Sequence, residues 1–136
     1  MKRISLTLFS LAIAFFAVGQ DLALNTKSTP ATAAAAVFKW TATTHDFGKI
    51  KVGVPVEHEF TFTNKGSIPL VISSVQASCG CTVTAYSKEP IEPNGKGFVK
   101  ATYNAAQAGQ FSKTVSVSSN TAEGIVQLTI KGEVIK

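Results

Sequence analysis

From Val37 onward, apolar and polar residues alternate with a period of two along most of the chain. The clearest stretch is VEHEFTFTN, in which Val56, His58, Phe60 and Phe62 share one face and glutamates and threonines occupy the other. Such alternation predicts a half-buried β-strand, and the Asn-Lys-Gly that follows supplies a turn.

The same period recurs in six further stretches separated by turn residues: VFKWTATTHDFGKI, PLVISSV, TVTAY, FVKATY, FSKTVSVS and IVQLTIKGEVI. No convincing helical period interrupts them. About seven short strands in roughly 100 residues predict an all-β fold, an immunoglobulin-like antiparallel β-sandwich. The expected core aromatic residues are Trp40, Phe47, Phe60, Phe62, Phe98 and Phe111.

The N-terminus has the three parts of a secretory signal peptide. Lys2 and Arg3 give it a positive start, an apolar run covers Leu6 to Val18, and Ala17-Val18-Gly19 puts small residues at the expected cleavage point. We therefore predict a signal peptide over residues 1–19, cleaved after Gly19. An uncleaved anchor is the alternative, but the apolar run is shorter than the roughly 20 residues that a bilayer core requires.

The stretch after the predicted cleavage point differs in composition from the rest. Residues 20–36 are rich in Thr, Ala and Pro, which predicts a flexible linker before a domain over residues 37–136. The mature chain should be periplasmic or secreted. It would meet the membrane only through its signal peptide during export.

Composition limits the classes of function. The chain has 136 residues, of which 45% are hydrophobic and 15% charged, and its formal net charge is +5. Without residues 1–19 it keeps 11 Lys and 8 acids, a balance of 11 − 8 = +3, and no Arg. These lysines are scattered along the sequence, whereas nucleic-acid binding usually needs a clustered basic face. We expect no nucleic acid among the partners.

The only two cysteines, Cys79 and Cys81, lie on either side of one glycine. An exported protein meets an oxidising environment, so one prediction is a disulfide in a very small and readily reduced ring. Another is a Cu or Zn site formed by both thiolates with His58 as a third ligand. A plain structural role remains open as well, with packed thiols and with His58 bonded to a backbone carbonyl at the edge of the core.

Enzyme signatures are missing from the sequence. There is no phosphate-binding loop of the Walker type, no dinucleotide fingerprint and no Gly-x-Ser-x-Gly elbow. Glu57 and Glu59 share a strand face, which is typical of a solvated stripe. Neighbours His45 and Asp46 point to opposite faces of a strand, and Asp46 is expected to bond the backbone near Gly48. We predict no catalytic residue and no resident cofactor other than the Cu or Zn considered above.

Several motifs together resemble a bacterial family of exported domains, domain-of-unknown-function family 1573. They are the DFGKI opening, FTFTNKG, SCGCT, the Pro-Asn-Gly loop and a late Ser-Asn, and the resemblance covers Val37 to Lys136. The Asn inside Pro-Asn-Gly departs from the family's Pro-Gly. The resemblance implies an immunoglobulin-like fold, similar to sperm-protein and hydin-type modules, and no established activity.

The sequence thus predicts an exported, non-enzymatic module that binds or assembles with an unidentified protein or other partner in the cell envelope. The longest loop, Ser87 to Lys96, is the expected contact surface because end loops of such sandwiches commonly bind partners. The alternative is a metal-carrying or redox protein that uses Cys79 and Cys81.

Overall fold

The computed structural model describes residues 34–136. The predicted signal peptide and most of the predicted linker lie outside the described residues. The last residues of that linker prediction are described, and Ala36 is buried at 1% exposure, with a bridge to Thr121. Between Ala34 and Lys136 no helix has the length and apolar character needed to cross a membrane.

Eight strands form two four-stranded sheets. They are β1 Phe38–Trp40, β2 Thr44–Lys51, β3 Val56–Asn64, β4 Ile72–Ala77, β5 Thr82–Tyr86, β6 Lys96–Tyr103, β7 Gly109–Ser119 and β8 Ile125–Ile135. The first sheet has the order β1-β3-β6-β5 and the second the order β2-β8-β7-β4. This confirms the all-β sandwich. The strand count exceeds the predicted seven by one because the opening stretch contributes a strand to each sheet.

The chain changes sheets at both sides of the sandwich. Between β1 and β2 it leaves the antiparallel pair β1–β3 and joins β8 in a parallel pair. Between β4 and β5 it crosses back from the second sheet to the first. All other strand pairs are antiparallel, so β2–β8 is the one exception to the expected pairing among the described strands.

The Asp-Phe-Gly motif forms a bulge in β2. Asp46 Oδ1 accepts a hydrogen bond of 2.8 Å from the Gly48 N–H, as expected, and Gly48 has a φ of 66°, which glycine adopts readily. The bulge interrupts the register with β8 between Asp46 and Lys49. A Cβ on Gly132 of β8 would lie 2.8 Å from the Gly48 carbonyl oxygen. The strands can therefore approach each other here because Gly132 has no Cβ, whereas a Cβ on Gly48 would meet no atom within 4 Å.

The apolar faces of the strands meet in one core. Its largest fully buried residues include Phe60, Phe62, Leu128 and Ile130. Phe111 is also buried and stacks on Tyr103, with ring centroids 4.1 Å apart. Trp40 and Phe47 are half-buried and pack against this core. Five of the six predicted core aromatics are therefore confirmed in or against the core.

The prediction that Phe98 belongs to the core was wrong. In β6 the residues Val99, Ala101 and Tyr103 are buried, so the strand's period of two turns Phe98 outward. Phe98 lies opposite Thr61 of β3 and is only half-buried. The aromatic character of Phe98 suggested the core, but its position in the alternation decided its face.

Asn64, at the end of β3, joins three parts of the chain. Its side chain is fully buried. Oδ1 accepts hydrogen bonds from the Gly66 N–H (2.9 Å) and the Val37 N–H (3.3 Å). Nδ2 donates to the carbonyls of Ile68 (2.8 Å) and Ile91 (2.9 Å). All the polar capacity of the amide is thus used, as a buried polar group requires.

Candidate functional site

The two cysteines lie in the crossover between β4 and β5. We call residues Ser78–Cys81 the arch. In the structure a disulfide joins Cys79 and Cys81, with the Cα atoms 5.3 Å apart. Both residues are half-buried, so the sulfur pair is neither in the core nor fully solvated. The arch follows from the topology, because a chain that ends a strand in one sheet and begins the next strand in the other must turn between them.

Hydrogen bonds hold one end of the arch to β7 and the other to the residue that follows β6. The Ser78 N–H donates to the Thr114 carbonyl (2.8 Å), and Ser78 Oγ accepts from the Thr114 N–H (3.1 Å). At the other end the Asn104 N–H donates to the Cys81 carbonyl (3.1 Å). These bonds fix the entry and exit of the arch independently of the sulfur–sulfur bond.

The two sulfurs have different surroundings. Cys81 packs against the hydrophobic core. Cys79 Sγ lies 3.7 Å from Thr82 Oγ1, and Thr82 is buried. A disulfide sulfur carries no hydrogen, so the Thr82 hydroxyl is the donor in this contact. The polar neighbour therefore belongs to Cys79 and the apolar one to Cys81.

His58, the third predicted metal ligand, is engaged elsewhere. Its ring stacks on the ring of His45 with centroids 3.7 Å apart and planes 6° from parallel. Phe60 meets His58 edge-on at 4.6 Å. Burial, together with the nearby His45, lowers the pKa of His58, and Glu59 opposes that shift. The sequence had offered a bond from His58 to a backbone carbonyl as one alternative; in the structure the neighbour of the His58 ring is His45.

Metal binding by this trio finds no support in the geometry. Within residues 34–136 no group of three or more His, Cys, Asp or Glu side chains is arranged to hold a metal ion. The two sulfurs are bonded to each other, whereas zinc and copper sites use free thiolates. The metal site therefore stays a prediction from the sequence, for a reduced form of the arch.

The outer edge of β5 is a second candidate. At one end of β5 the Ser87 N–H donates to the Phe98 carbonyl of β6 (3.1 Å). At the other end the Cys81 carbonyl accepts from the N–H of Asn104, the residue after β6 (3.1 Å). Because the direction of bonding alternates along an antiparallel strand, the backbone N–H and C=O groups of Thr84 and Tyr86 point away from β6. β5 is the last strand of its sheet in the described part of the chain, so these groups face an open edge.

The predicted contact loop, Ser87 to Lys96, lies beside this edge. It is pinned to the body of the protein, since Ile91 is buried and exchanges two backbone hydrogen bonds of 2.8 Å with Leu70. Lys88 places its Nζ 3.8 Å above the ring of Tyr86, the last residue of β5. A shallow depression of about 370 Å³ runs along the loop. The loop and the β5 edge thus form one continuous surface.

The described residues form an immunoglobulin-like β-sandwich with a disulfide in the crossover between its sheets. The chain belongs to the family described as protein of unknown function (DUF1573), whose sequence profile matches residues 38–134. This confirms the family that the motifs suggested. No curated protein matches the chain.

Several solved structures are similar to this fold. A protein of unknown function from Porphyromonas gingivalis W83 has a TM-score of 0.66 and 20% identity, over 78% of this chain and 51% of that one. The ASH/PapD-like domain 7 of human CEP192 has a TM-score of 0.62 and 10% identity, covering 75% and 87%. The VesB protease of Vibrio cholerae has a TM-score of 0.58 and 15% identity, covering 73% and 32%. The chain spans about half the length of the first. At such identities the likeness shows the fold alone.

Sequence reasoning missed two features of the candidate site. The stack of His45 on His58 joins strands of different sheets, and nothing in the local sequence pairs these residues. The alternation does put both on inward faces, a signal that could have suggested contact. The open edge of β5 depends on the order of strands in the sheet, which a single sequence does not specify.

Proposed function

We propose that the chain is an exported, non-enzymatic module of the cell envelope that binds a partner protein by strand addition at the β5 edge. The observation that carries the proposal is the outward direction of the Thr84 and Tyr86 backbone groups on an edge that no described strand covers. In strand addition an extended segment pairs with such an edge through main-chain hydrogen bonds.

Among the four edge strands, β5 is the least protected against pairing. It carries no charge, no proline and no shift in its register with β6. In contrast, β1 has only three residues, and β2 is bulged and carries Asp46, Lys49 and Lys51. β4 has a register irregularity after Ile72. Natural proteins usually block exposed edges with such devices, so their absence from β5 favours a strand that is meant to be paired.

The surroundings of β5 specify the chemistry of the added strand. Ala85 is exposed and Tyr86 half-buried, which suits an uncharged segment rich in β-branched or aromatic residues. Lys88 is exposed beyond the end of β5. An acidic residue of the added strand, close to Tyr86, would complement this ammonium group. The partner is therefore an extended segment with one acidic residue at that end.

Export of the module is supported by the sequence of residues 1–19. A positive start, an apolar run and small residues ending at Gly19 are the three parts of a cleavable secretory signal peptide. The intact mass of the protein from the cell envelope tests this directly. A mature chain that begins at Gln20 is the expected result, and an unprocessed chain in the cytosol would contradict it.

Strand addition can be tested by placing a photo-crosslinking amino acid at Ala85 in cells that produce the native chain. The same probe at Gln127, an exposed residue on β8 of the other sheet, is the positional control. We expect a discrete crosslinked species from Ala85 alone. Equal crosslinking from both positions would indicate a non-specific collision.

Two substitutions of Thr84 then separate strand pairing from other contacts. Thr84→Pro removes the N–H that the added strand would use, and an edge strand tolerates proline at such a position. Thr84→Ala keeps that N–H. The proposal expects the crosslink to disappear in Thr84→Pro and to persist in Thr84→Ala, while circular dichroism shows both variants folded. A crosslink that survives Thr84→Pro would rule out strand addition here.

A further inference from the structure

We propose that the Cys79–Cys81 disulfide is redox-active and exchanges with a dithiol reductant while the β-sandwich stays folded. This activity goes beyond partner binding at β5, because its substrate is a pair of thiols and its site is the arch. Four features of the structure support it: exposure, ring size, anchoring of the arch and the unequal surroundings of the sulfurs.

The sulfur pair lies where another molecule can approach it. Cys79 and Cys81 are half-buried, and the neighbouring arch residues Ser78 and Gly80 are exposed. A Cβ added to Gly80 would find no atom within 4 Å, so the middle of the arch borders open space. An attacking thiolate needs this kind of access, because exchange proceeds by direct attack on a sulfur.

The bond contributes little to holding the fold together. Only one residue separates the two cysteines, and a disulfide stabilises chiefly by closing a loop in the unfolded chain, with less effect for shorter loops. The bonds from Ser78 to Thr114 and from Cys81 to Asn104 already fix both ends of the arch. Opening the disulfide should therefore leave the arch in place and the sheets intact.

The surroundings favour Cys79 as the leaving sulfur. Thr82 Oγ1 lies 3.7 Å from Cys79 Sγ and would donate a hydrogen bond to the thiolate formed there. Cys81 packs against apolar residues, which disfavour a thiolate. Attack at Cys81 thus expels the better leaving group.

The exchange proceeds through a mixed disulfide with the reductant. One thiolate of the dithiol attacks Cys81 Sγ, a new sulfur–sulfur bond forms, and the electron pair of the old bond leaves with Cys79. The second thiol of the reductant loses its proton and attacks its own sulfur in the mixed disulfide, which releases the Cys81 thiolate. Both cysteines take up protons, the protein gains two electrons and two protons in all, and the dithiol, which supplies them, becomes a cyclic disulfide.

A dithiol is favoured over a single thiol for a geometric reason. After the first attack Cys79 remains two residues from the mixed disulfide on Cys81, so it can close the ring again at high effective concentration. A single thiol is simply expelled by this reaction. In a dithiol the second thiol is also held close to the mixed disulfide, so it competes with Cys79 for that bond and completes the reduction.

The test treats the native protein, without denaturant, with dithiothreitol or with the same concentration of glutathione thiol. Trapping with an alkylating reagent and intact mass then count the free thiols. We expect two trapped thiols with dithiothreitol, far fewer with glutathione, and an unchanged β-sheet circular dichroism spectrum. A bond that opens only when the protein unfolds would overturn the proposal. Equal reduction by both reagents would overturn the preference for dithiols.

Two variants test the role assigned to Thr82. Thr82→Val removes the hydroxyl at nearly the same volume, and Thr82→Ser keeps it. Loss of one hydrogen bond to a charged leaving group should slow reduction about tenfold in Thr82→Val, and Thr82→Ser should react like the native protein. Equal rates in all three proteins would contradict Cys79 as the leaving sulfur, whatever the wild-type result with dithiothreitol.

Discussion

His45 and His58 lie face to face between the two sheets, with ring centroids 3.7 Å apart. His45 belongs to β2 and His58 to β3, so the pair bridges strands that share no backbone hydrogen bonds. Phe47 and Phe60 border the pair edge-on, and the charged neighbours Glu59 and Asp46 lie on exposed positions of the same strands. A second proton on this stack would place two positive charges in contact.

The stack predicts that acid destabilises the fold. The pKa of His58 is lowered from its ordinary value of 6.5 by burial and by His45. As the pH falls, His58 of the unfolded chain therefore takes up its proton before His58 of the folded protein does. The contribution of His58 to stability is complete above pH 6.5 and is lost as the pH drops through 6.5 toward the folded pKa. Thermal unfolding between about pH 8 and about pH 5 should show this loss.

Two variants isolate the histidine contribution. His58→Phe removes the titrating group, and His45→Phe removes the like charge beside it. On acidification the melting temperature of each variant should fall by less than that of the native protein. Identical pH profiles for all three proteins would show that other groups cause any acid sensitivity.

Asn64 should be among the most sensitive polar positions. Asn64→Ala would remove the hydrogen bonds that the Asn64 amide makes with the N–H groups of Val37 and Gly66 and with the carbonyls of Ile68 and Ile91. Of these four groups, the Ile91 carbonyl would keep its bond from the Leu70 N–H. We expect a loss of about 2–4 kcal/mol in the free energy of unfolding, measured in urea. The matched control is Asn120→Ala, which removes two bonds at an exposed site.

The control should cost about 1 kcal/mol or less, because water replaces the bonds that Asn120 makes to Val71 and Pro69. Similar losses at Asn64 and Asn120 would contradict the role given to burial.

The close packing of Gly132 at the β2 bulge can be tested by an alanine substitution, with the same substitution at Gly80 as the control. A Cβ at Gly132 would lie 2.8 Å from the Gly48 oxygen and 2.9 Å from Phe111, whereas one at Gly80 would meet nothing. Gly132→Ala should therefore destabilise the protein by about 1–3 kcal/mol through overpacking. Gly80→Ala should stay within about 0.5 kcal/mol of the native value. Equal effects in denaturant unfolding would refute the assigned contact.

Replacing both cysteines should cost little stability. The Cys79→Ser, Cys81→Ser double variant loses a ring of three residues, for which chain-entropy arguments allow at most about 2 kcal/mol. Urea unfolding of the native and double-variant proteins measures the difference. A much larger loss would mean that the bond holds the arch in place and would weaken the case for reversible opening.

The sequence was sufficient for those parts of the fold that local patterns determine. Alternation placed Phe60, Phe62 and Val99 on buried faces, and Asp46 bonds Gly48 as short-range geometry required. Phe98 departs from the prediction because its position in the alternation of β6, and not its aromatic character, decides which face it lies on. The split of the opening stretch into two sheets was missed, since an extended chain looks the same in either sheet.

The candidate site was less accessible to prediction. Cys79 and Cys81 are neighbours in sequence, so their pairing was one of the alternatives that the sequence offered. The contact of Cys79 with Thr82 depends on how the arch bends, and the partner of His58 depends on how two sheets are stacked. Contacts between distant segments are set by packing, for which one sequence contains no direct pattern.

The position of Ala36 has a practical consequence for any attachment of this domain. Ala36 and Asn64 lie at one end of the sandwich, and register along β3 and β6 puts the arch at the other, roughly 25 Å away at about 3.3 Å per residue. A tag, bead or anchor joined directly at Ala36 would therefore meet the domain at the end away from the sulfurs. Fusion after Ile135, which neighbours Val52 near the arch end, would crowd them instead.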